Sequence, residues 1–422
     1  MSINRVVEKL NLVPSVSEKK QLKKELDFIV LALKNEIKKQ RMGAEVFIGG
    51  SFARGTLVKK KDYDVDIFIR FDWRYEDLTF ELEKIINNAS KIMKSKFIKI
   101  HGSRDYFRII RNGIIFEVIP VLKINNPREA RNVTDLSYFH VNYVKRKINN
   151  TMAREVVIAK NFCKAQGVYG AESYIQGFSG YALECLIIYY KSFEKMLKRL
   201  SKVKERIIID PEKKYKNKDE ALINLNESKI RSPVILVDPT WKERNVLAAL
   251  NNESFKKFQD SARKFLKKPN FSYFIEKEID ISQLKNETKK KKAEFLQLKI
   301  ETDRQIGDIA GTKMKKFSNF ICMELENCFE IIRKEFVYDD SHDADLYIIL
   351  KSKKEIVKIG PPIIMIEAVK AFKKSNKNTY IKNGMIHSKM MVSSSAKRFL
   401  ELWKKKYSKK VKEMGIVGLK IN

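Results

Sequence analysis

Between residues 49 and 68 the chain reads Gly49-Gly50-Ser51-Phe52-Ala53-Arg54-Gly55-Thr56, then Lys59-Lys60-Lys61, then Asp62-Tyr63-Asp64-Val65-Asp66-Ile67-Phe68. The alternation from Val65 to Phe71 predicts a strand, which puts Asp64 and Asp66 on one face and Val65, Ile67 and Ile69 on the other. Two carboxylates side by side repel unless a cation lies between them, and oxygen-ligated Mg²⁺ is the natural choice. Val46-Phe47-Ile48 reads as a short buried strand, so Gly49-Gly50-Ser51 is a turn from a strand into a helix. Such a turn offers backbone N–H groups and a hydroxyl to a phosphate. A glycine turn before a solvated acidic strand edge explains either half alone. Both halves together, in this order and at this separation, favour chemistry.

A third carboxylate is expected from a neighbouring strand. Glu117 is a lone acid within Ile114-Ile115-Phe116-Glu117-Val118-Ile119-Pro120, and a lone buried acid is costly without a partner. The wider pattern is α+β and multidomain. A helix is expected over 16–40, with Leu22, Leu26, Ile29, Leu33 and Ile37 on one stripe. Another is expected over about 77–96, and strands around Phe107–Arg111 and Ile114–Leu122. This mixed catalytic head covers 1–149. Residues 150–275 form a mostly helical central domain, including Thr151–Gln166, the strongly apolar Tyr181–Leu197 and a strand at Val234–Val237. Ser179 is read as a helix N-cap. Residues 276–422 form a basic α+β tail, with helices expected at about 303–320 and 320–335 and a strand around Leu346–Leu350.

Charge narrows the partner. The net charge is +34 over 422 residues, and from residue 351 onward there are 19 basic and 4 acidic residues. That excess calls for a polyanion, nucleic acid first and an anionic membrane second. No run of 18 apolar residues is present, the N-terminal stretch has no apolar leader segment, and four cysteines show no CxxC pairing. The expectation is a reducing cytoplasmic setting without membrane spans or a structural zinc site.

These residues resemble the polymerase beta nucleotidyltransferase superfamily and, more narrowly, archaeal class I CCA-adding enzymes (tRNA nucleotidyltransferases). The matching stretches are Gly50-Ser51 through Phe71, Phe116–Pro120, Tyr138-Phe139-His140, Gly167–Glu172, Gly177–Tyr181, and Asp238-Pro239 with Arg244-Asn245-Val246. They run in the family's order over about 45–250; Gly360-Pro361-Pro362 and Tyr380–Gly384 match more loosely. The resemblance implies a polymerase beta-like head, template-independent addition of C, C and A to the 3′ end of tRNA, and CTP and ATP as substrates. It implies Asp64, Asp66 and Glu117 as catalytic Mg²⁺ ligands. In the nucleotide site Ser51 would hold a phosphate and Arg54 would support that loop, Ser137, His140, Lys160 and Tyr169 would contact the triphosphate and sugar, and Arg244 would read the base edge. Two features depart from the family pattern: the third acid is Glu117 where Asp is usual, and the spacing from Ser51 to the paired acids is about one residue longer.

A tRNA acceptor arm is read by shape and phosphates. Lys289, Lys290, Lys291, Lys292, Arg304, Lys404 and Lys405 are the candidate contacts. Oligomeric state is left open, a homodimer included. The competing readings are a nucleotidyltransferase adding other nucleotides, poly(A)-like, a catalytically decayed RNA-binding protein, and a membrane-surface protein drawn by charge.

Overall fold

The computed structural model describes residues 11–225, 230–276, 278–353, 355–391 and 395–422. Backbone contacts divide the chain into two compact units, Met1–Lys277 and Glu278–Asn422.

In the first unit, α1 (Val16–Lys39) opens with a capping box in which Ser15 and Glu18 satisfy each other's amides. Its expected stripe, Leu22 to Ile37, is buried. Next come β1 (Ala44–Ile48), α2 (Gly50–Arg54), β2 (Tyr63–Phe71), α3 (Leu78–Met93), β3 (Phe97–Ile100), β4 (Tyr106–Arg111) and β5 (Ile114–Leu122). The five strands form one mixed sheet in the order β1-β2-β5-β4-β3, with β2 and β5 parallel and the other pairs antiparallel. One face is apolar: Val65, Ile67 and Ile69 of β2, Phe107 and Ile109 of β4, and Phe116 and Val118 of β5 pack with Leu26 and Ile29 of α1 and Leu82 and Ile85 of α3. The pleat therefore turns Asp64, Asp66 and Glu117 to the opposite face. β1 departs from the expected buried strand. It is the edge of the sheet and half-buried along its length.

The unit continues through α4 (Ser137–Lys147), α5 (Asn150–Ala165), α6 (Gly180–Tyr190), α7 (Phe193–Leu200), β6 (Ile207–Ile209), α8 (Lys218–Asn224), β7 (Val234–Leu236) and α9 (Asn252–Lys267). These elements enclose a second core rich in aromatics, including Phe162, Phe178, Phe193, Phe258 and Phe265. The Ser179 hydroxyl accepts from the Ala182 amide, the expected N-cap. The apolar run Tyr181–Leu197 is two helices, because Lys191 takes a left-handed conformation at φ 70° and ends α6.

The second unit holds α10 (Ile281–Lys290), β8 (Glu294–Glu301), α11 (Asp308–Glu326), β9 (Phe329–Tyr338), β10 (Asp343–Ser352), β11 (Glu355–Pro362), α12 (Ile366–Ser375), β12 (Thr379–Lys382), β13 (Met385–Met391), α13 (Ala396–Lys406), α14 (Ser408–Glu413) and β14 (Gly418–Ile421). One sheet runs β14-β8-β10-β9 and a smaller one β11-β13-β12. The two helices expected over 303–335 are one helix followed by a strand. Phe329–Tyr338 pairs along β10 and contributes the fully buried Phe329 to the core. Among the described residues no helix is long and apolar enough to cross a membrane.

Candidate active site

Adjacent parallel strands bring the predicted acids together in register. Asp66 of β2 pairs with Glu117 of β5, and Asp64 lies two residues along the same face, beside Ile115. Burial, then the negative charge of Glu117, push the Asp66 carboxyl up to about 6. Each outer acid already has a protein cation. Lys60 pairs with Asp64, and Arg108 Nη2 of β4 donates to Glu117 Oε1 at 2.7 Å. Among the described residues no three acids, histidines or cysteines are drawn into a ready-made metal cluster.

The glycine turn packs directly onto this strand. Gly49 N–H donates to the Asp66 carbonyl at 2.9 Å. Gly50 sits at φ +62°, and a Cβ there would collide with Asp66 Oδ2. Glycine is thus required twice over, for the backbone angle and for the approach. Ser51 follows it in the first turn of α2, half-buried beside this strand. Gly50→Ala is expected to displace the Asp66 carboxylate and lower turnover by about 100-fold or more, since misplacing a reacting group by about 1 Å costs that much. Steady-state turnover, compared with a Ser51→Ala control that leaves the turn's backbone intact, checks this.

Arg54 and Lys160 are brought together by a residue the sequence reading passed over. Glu184 of α6 is 0% exposed and Lys160 of α5 is 2% exposed, so Lys160 does not lie on a solvated helix face. Lys160 Nζ donates to Glu184 Oε1 at 3.0 Å and to Thr56 Oγ1 at 2.9 Å, and the Thr56 hydroxyl donates to Glu184 Oε1 at 2.5 Å. Arg54 Nε lies 2.8 Å from Glu184 Oε2 without hydrogen-bond geometry, so both of those buried atoms lack a hydrogen-bond partner. Burial pushes the Glu184 carboxyl up, but Arg54 and Lys160 outweigh it and hold the group below its ordinary range. Glu184 is the ion-pair partner of both cations, and the charge of the nearby Asp66 carboxylate acts on both as well, so this cation pair adjoins the acids of β2. Tyr169 is close to the same group, with its hydroxyl and the Lys160 ammonium both flanking Gly180 at the start of α6.

His140 and Arg244 meet elsewhere, on Asp238. Arg244 Nη1 donates to Asp238 Oδ2 at 2.7 Å, and His140 Nε2 lies 3.1 Å from the same oxygen. Burial pushes the His140 imidazole down, opposed by Asp238. Ser137 is half-buried at the first residue of α4, one turn before His140. In the second unit Lys289 and Lys290 end α10, with Lys291 and Lys292 in the turn after it, all four exposed; Lys291 Nζ donates to Glu287 Oε1 at 2.8 Å. Arg304 is exposed, 3.8 Å from Asp303. Lys404 and Lys405 lie on α13, and Lys404 Nζ donates to the Leu419 carbonyl at 2.5 Å, so part of its donor capacity is used internally.

Residues 30–127 match the nucleotidyltransferase domain, and residues 154–275 match the second domain of tRNA nucleotidyltransferase. The CCA-adding enzyme of Nanoarchaeum equitans is 40% identical over 58% of this chain and 59% of that one. The CCA-adding enzyme of Saccharolobus islandicus is 28% identical over 89% of this chain and 85% of that one, and the Methanosarcina mazei enzyme is 28% identical over 90% and 83%. The chain is thus similar to archaeal CCA-adding enzymes over most of its length, and to the nucleotidyltransferase and second tRNA nucleotidyltransferase domains over the residues given. The match spans 59% of the length of the Nanoarchaeum relative. A solved structure of Cid1, described for its RNA terminal uridylyl transferase activity, shares the fold with a TM-score of 0.50 and 14% identity, over 66% of this chain and 98% of that one.

Nucleotidyltransferases of this fold generally use divalent metal ions. The acids here fit such an ion by donor chemistry. Three carboxylates share one face of two adjacent strands, and the pressure on Asp66 from Glu117 is what a divalent cation relieves. The residues whose roles the sequence did not reveal are Thr56, Arg108, Tyr181, Glu184 and Asp238. Glu184 carried a legible signal, the same one that pointed to Glu117: a lone acid inside an apolar segment.

Proposed function

We propose that this chain adds C, C and A to the 3′ end of tRNA without a template, taking the nucleotides from CTP and ATP. The single observation that carries the reading is the in-register Asp66–Glu117 pair with Asp64 beside it, packed against the Gly49-Gly50-Ser51 turn, in a chain alignable over most of its length with CCA-adding enzymes. Asp64, Asp66 and Glu117 would hold Mg²⁺. Bound there, the ion supplies Lewis acidity at the attacking hydroxyl and at the departing pyrophosphate. The tRNA 3′-hydroxyl oxygen attacks the α-phosphorus and gives up its proton to solvent as the new P–O bond forms; the bond from the α-phosphorus to the oxygen that bridges it to the β-phosphorus breaks, and pyrophosphate leaves. Ser51 and the turn amides hold the phosphates, with Arg54, Lys160 and Tyr169 supplying charge and a hydroxyl donor. Ser137 and His140 line the sugar side, and Arg244 addresses the base.

The net charge of +34 supports a polyanionic acceptor. Exposed Lys289, Lys290, Lys292, Arg304 and Lys405 are the residues we assign to tRNA phosphates, with Lys291 and Lys404 contributing beside their internal partners. The work would be done in the cytoplasm, where tRNA is matured and repaired.

A tRNA transcript lacking its last three nucleotides, given all four nucleoside triphosphates and Mg²⁺, tests this by sequencing the product ends. The expected product gains C, C, A and stops. Runs of A on tRNA and unrelated RNA alike mean a poly(A)-like polymerase, and tight tRNA binding with no extension means a decayed head.

A further inference from the structure

Asp238 is 0% exposed, two residues beyond the end of β7. Both oxygens of its carboxylate are fully used. Oδ2 receives Arg244 Nη1 at 2.7 Å and faces His140 Nε2 at 3.1 Å. Oδ1 receives the Thr240 amide and the Thr240 hydroxyl, each at 2.8 Å, and the Tyr181 hydroxyl at 3.1 Å. The His140 and Tyr181 rings stack at 4.0 Å with 24° between their planes. Three separate stretches thus converge on one buried anion: α4 through His140, α6 through Tyr181, and the 238–244 loop through Thr240 and Arg244.

The loop is closed by its backbone as well. The Asp238 amide donates to the Arg244 carbonyl at 2.9 Å, and the Arg244 amide donates to the Trp241 carbonyl at 3.0 Å. Val237 bridges Asn245 in antiparallel fashion, and the Asn245 side chain accepts from the Leu236 and Leu247 amides. Arg244 therefore starts from a fixed Cα and has one arm of its guanidinium tied down. Its side chain is nonetheless 21% exposed, so the fork is held and still presented.

An arginine that only supplied charge would not need this arrangement. C and A share one property that U and G lack: the ring nitrogen on the pairing edge is a bare acceptor, N3 in C and N1 in A. In U and G the same position carries a hydrogen. A guanidinium held in one orientation meets an acceptor in the first two and a donor in the others. A guanidinium free to turn finds the carbonyl oxygens of U and G instead.

We infer that Asp238 is a positioning residue for nucleotide selection: by pinning one arm of Arg244 it fixes the donors that face the incoming base, and so excludes U and G. This rests on the reading in which Arg244 addresses the base edge. Tyr181, His140 and Thr240 act one step further back, by holding the Asp238 carboxylate against rotation.

The test compares kcat/KM for CTP, ATP, UTP and GTP on transcripts ending before the first C and after CC. Asp238→Asn keeps the shape and one acceptor oxygen while removing the charge. It is expected to lower the preference for C and A over U and G by about tenfold or more, the worth of one well-placed polar pair in base discrimination. Arg244→Ala is expected to lower it at least as far. If Arg244→Ala lowers the preference and Asp238→Asn lowers kcat/KM equally for all four nucleotides, Asp238 is only structural and the inference is overturned. If Arg244→Ala leaves the preference intact, the base-edge reading itself fails and takes the inference with it. Should Asp238→Asn not fold, Tyr181→Phe and Thr240→Val each remove one donor from Asp238 Oδ1 without adding a charge. Each is expected to lower the preference about threefold, and an unchanged preference in both contradicts the inference.

Discussion

Asp66→Asn is expected to reduce nucleotide incorporation by about 10³-fold or more while making the metal-free chain more stable at neutral pH. The loss follows from removing a charged oxygen from the face proposed to hold Mg²⁺, since such electrostatic stabilisation is worth several kcal/mol. The gain follows from the sign of the shift. Burial and the Glu117 charge push the Asp66 carboxyl from 3.8 up to about 6, so the folded chain takes up this proton more readily than the unfolded one. The stability linked to that proton is full below about pH 3.8 and is lost as pH rises through about 6. A shift of about two units corresponds to roughly 3 kcal/mol, and partial exposure of the side chain reduces this to about 1–2 kcal/mol. Asn carries no charge and avoids the loss. Melting in EDTA at pH 7.5 should therefore rise by about 2–6 °C in the variant, with the gap closing towards pH 4. A variant that melts lower than the parent at pH 7.5 would show that Asp66 is not under the repulsion described.

Glu184→Ala has the larger expected effect on stability. It takes from Arg54 and Lys160 their ion-pair partner, and from the Thr56 hydroxyl its acceptor on Glu184. Breaking a buried pair by removing one partner costs about 3–5 kcal/mol. The expected result is a drop of about 6–15 °C in melting temperature, given the size of this unit. Glu184→Gln, which keeps an acceptor oxygen for Thr56, should recover part of it. The effect should be strongest without nucleotide and shrink when CTP or ATP is present, because the triphosphate replaces the missing negative charge. A loss below about 1 kcal/mol in the alanine variant, unaffected by nucleotide, would mean that Arg54 and Lys160 do not depend on Glu184.

Much of the head was legible because its signals are local. Alternation in 63–71 and 114–122 marks two strands, and the same alternation sets which residues share a face. The facing of Asp66 and Glu117 was less legible, since register comes from the parallel pairing of β2 with β5 across about fifty residues of chain. Glu184 and Asp238 show the limit from another side. Their roles depend on Arg54, Thr56 and His140, which are distant in sequence and arrive only through packing. The tail misled for a physical reason. Phe329–Tyr338 carries Glu330, Arg333, Lys334 and Glu335 and so continues the charged pattern of the helix before it, but its other six residues are Phe, Ile, Val or Tyr, which favour the strand that pairs along β10. Phe97–Ile100 is too short to announce itself, and it is held as a strand by β4.

The most direct test of the central claim uses three tRNA transcripts, ending before CCA, after C and after CC. Each is given one labelled nucleoside triphosphate at a time with Mg²⁺, beside the Asp66→Asn variant. CCA addition by this chain gives C on the first two, A on the third, little U or G on any, and none of these products from the variant. Equal incorporation by parent and Asp66→Asn, or addition of A irrespective of the transcript's end, would contradict it.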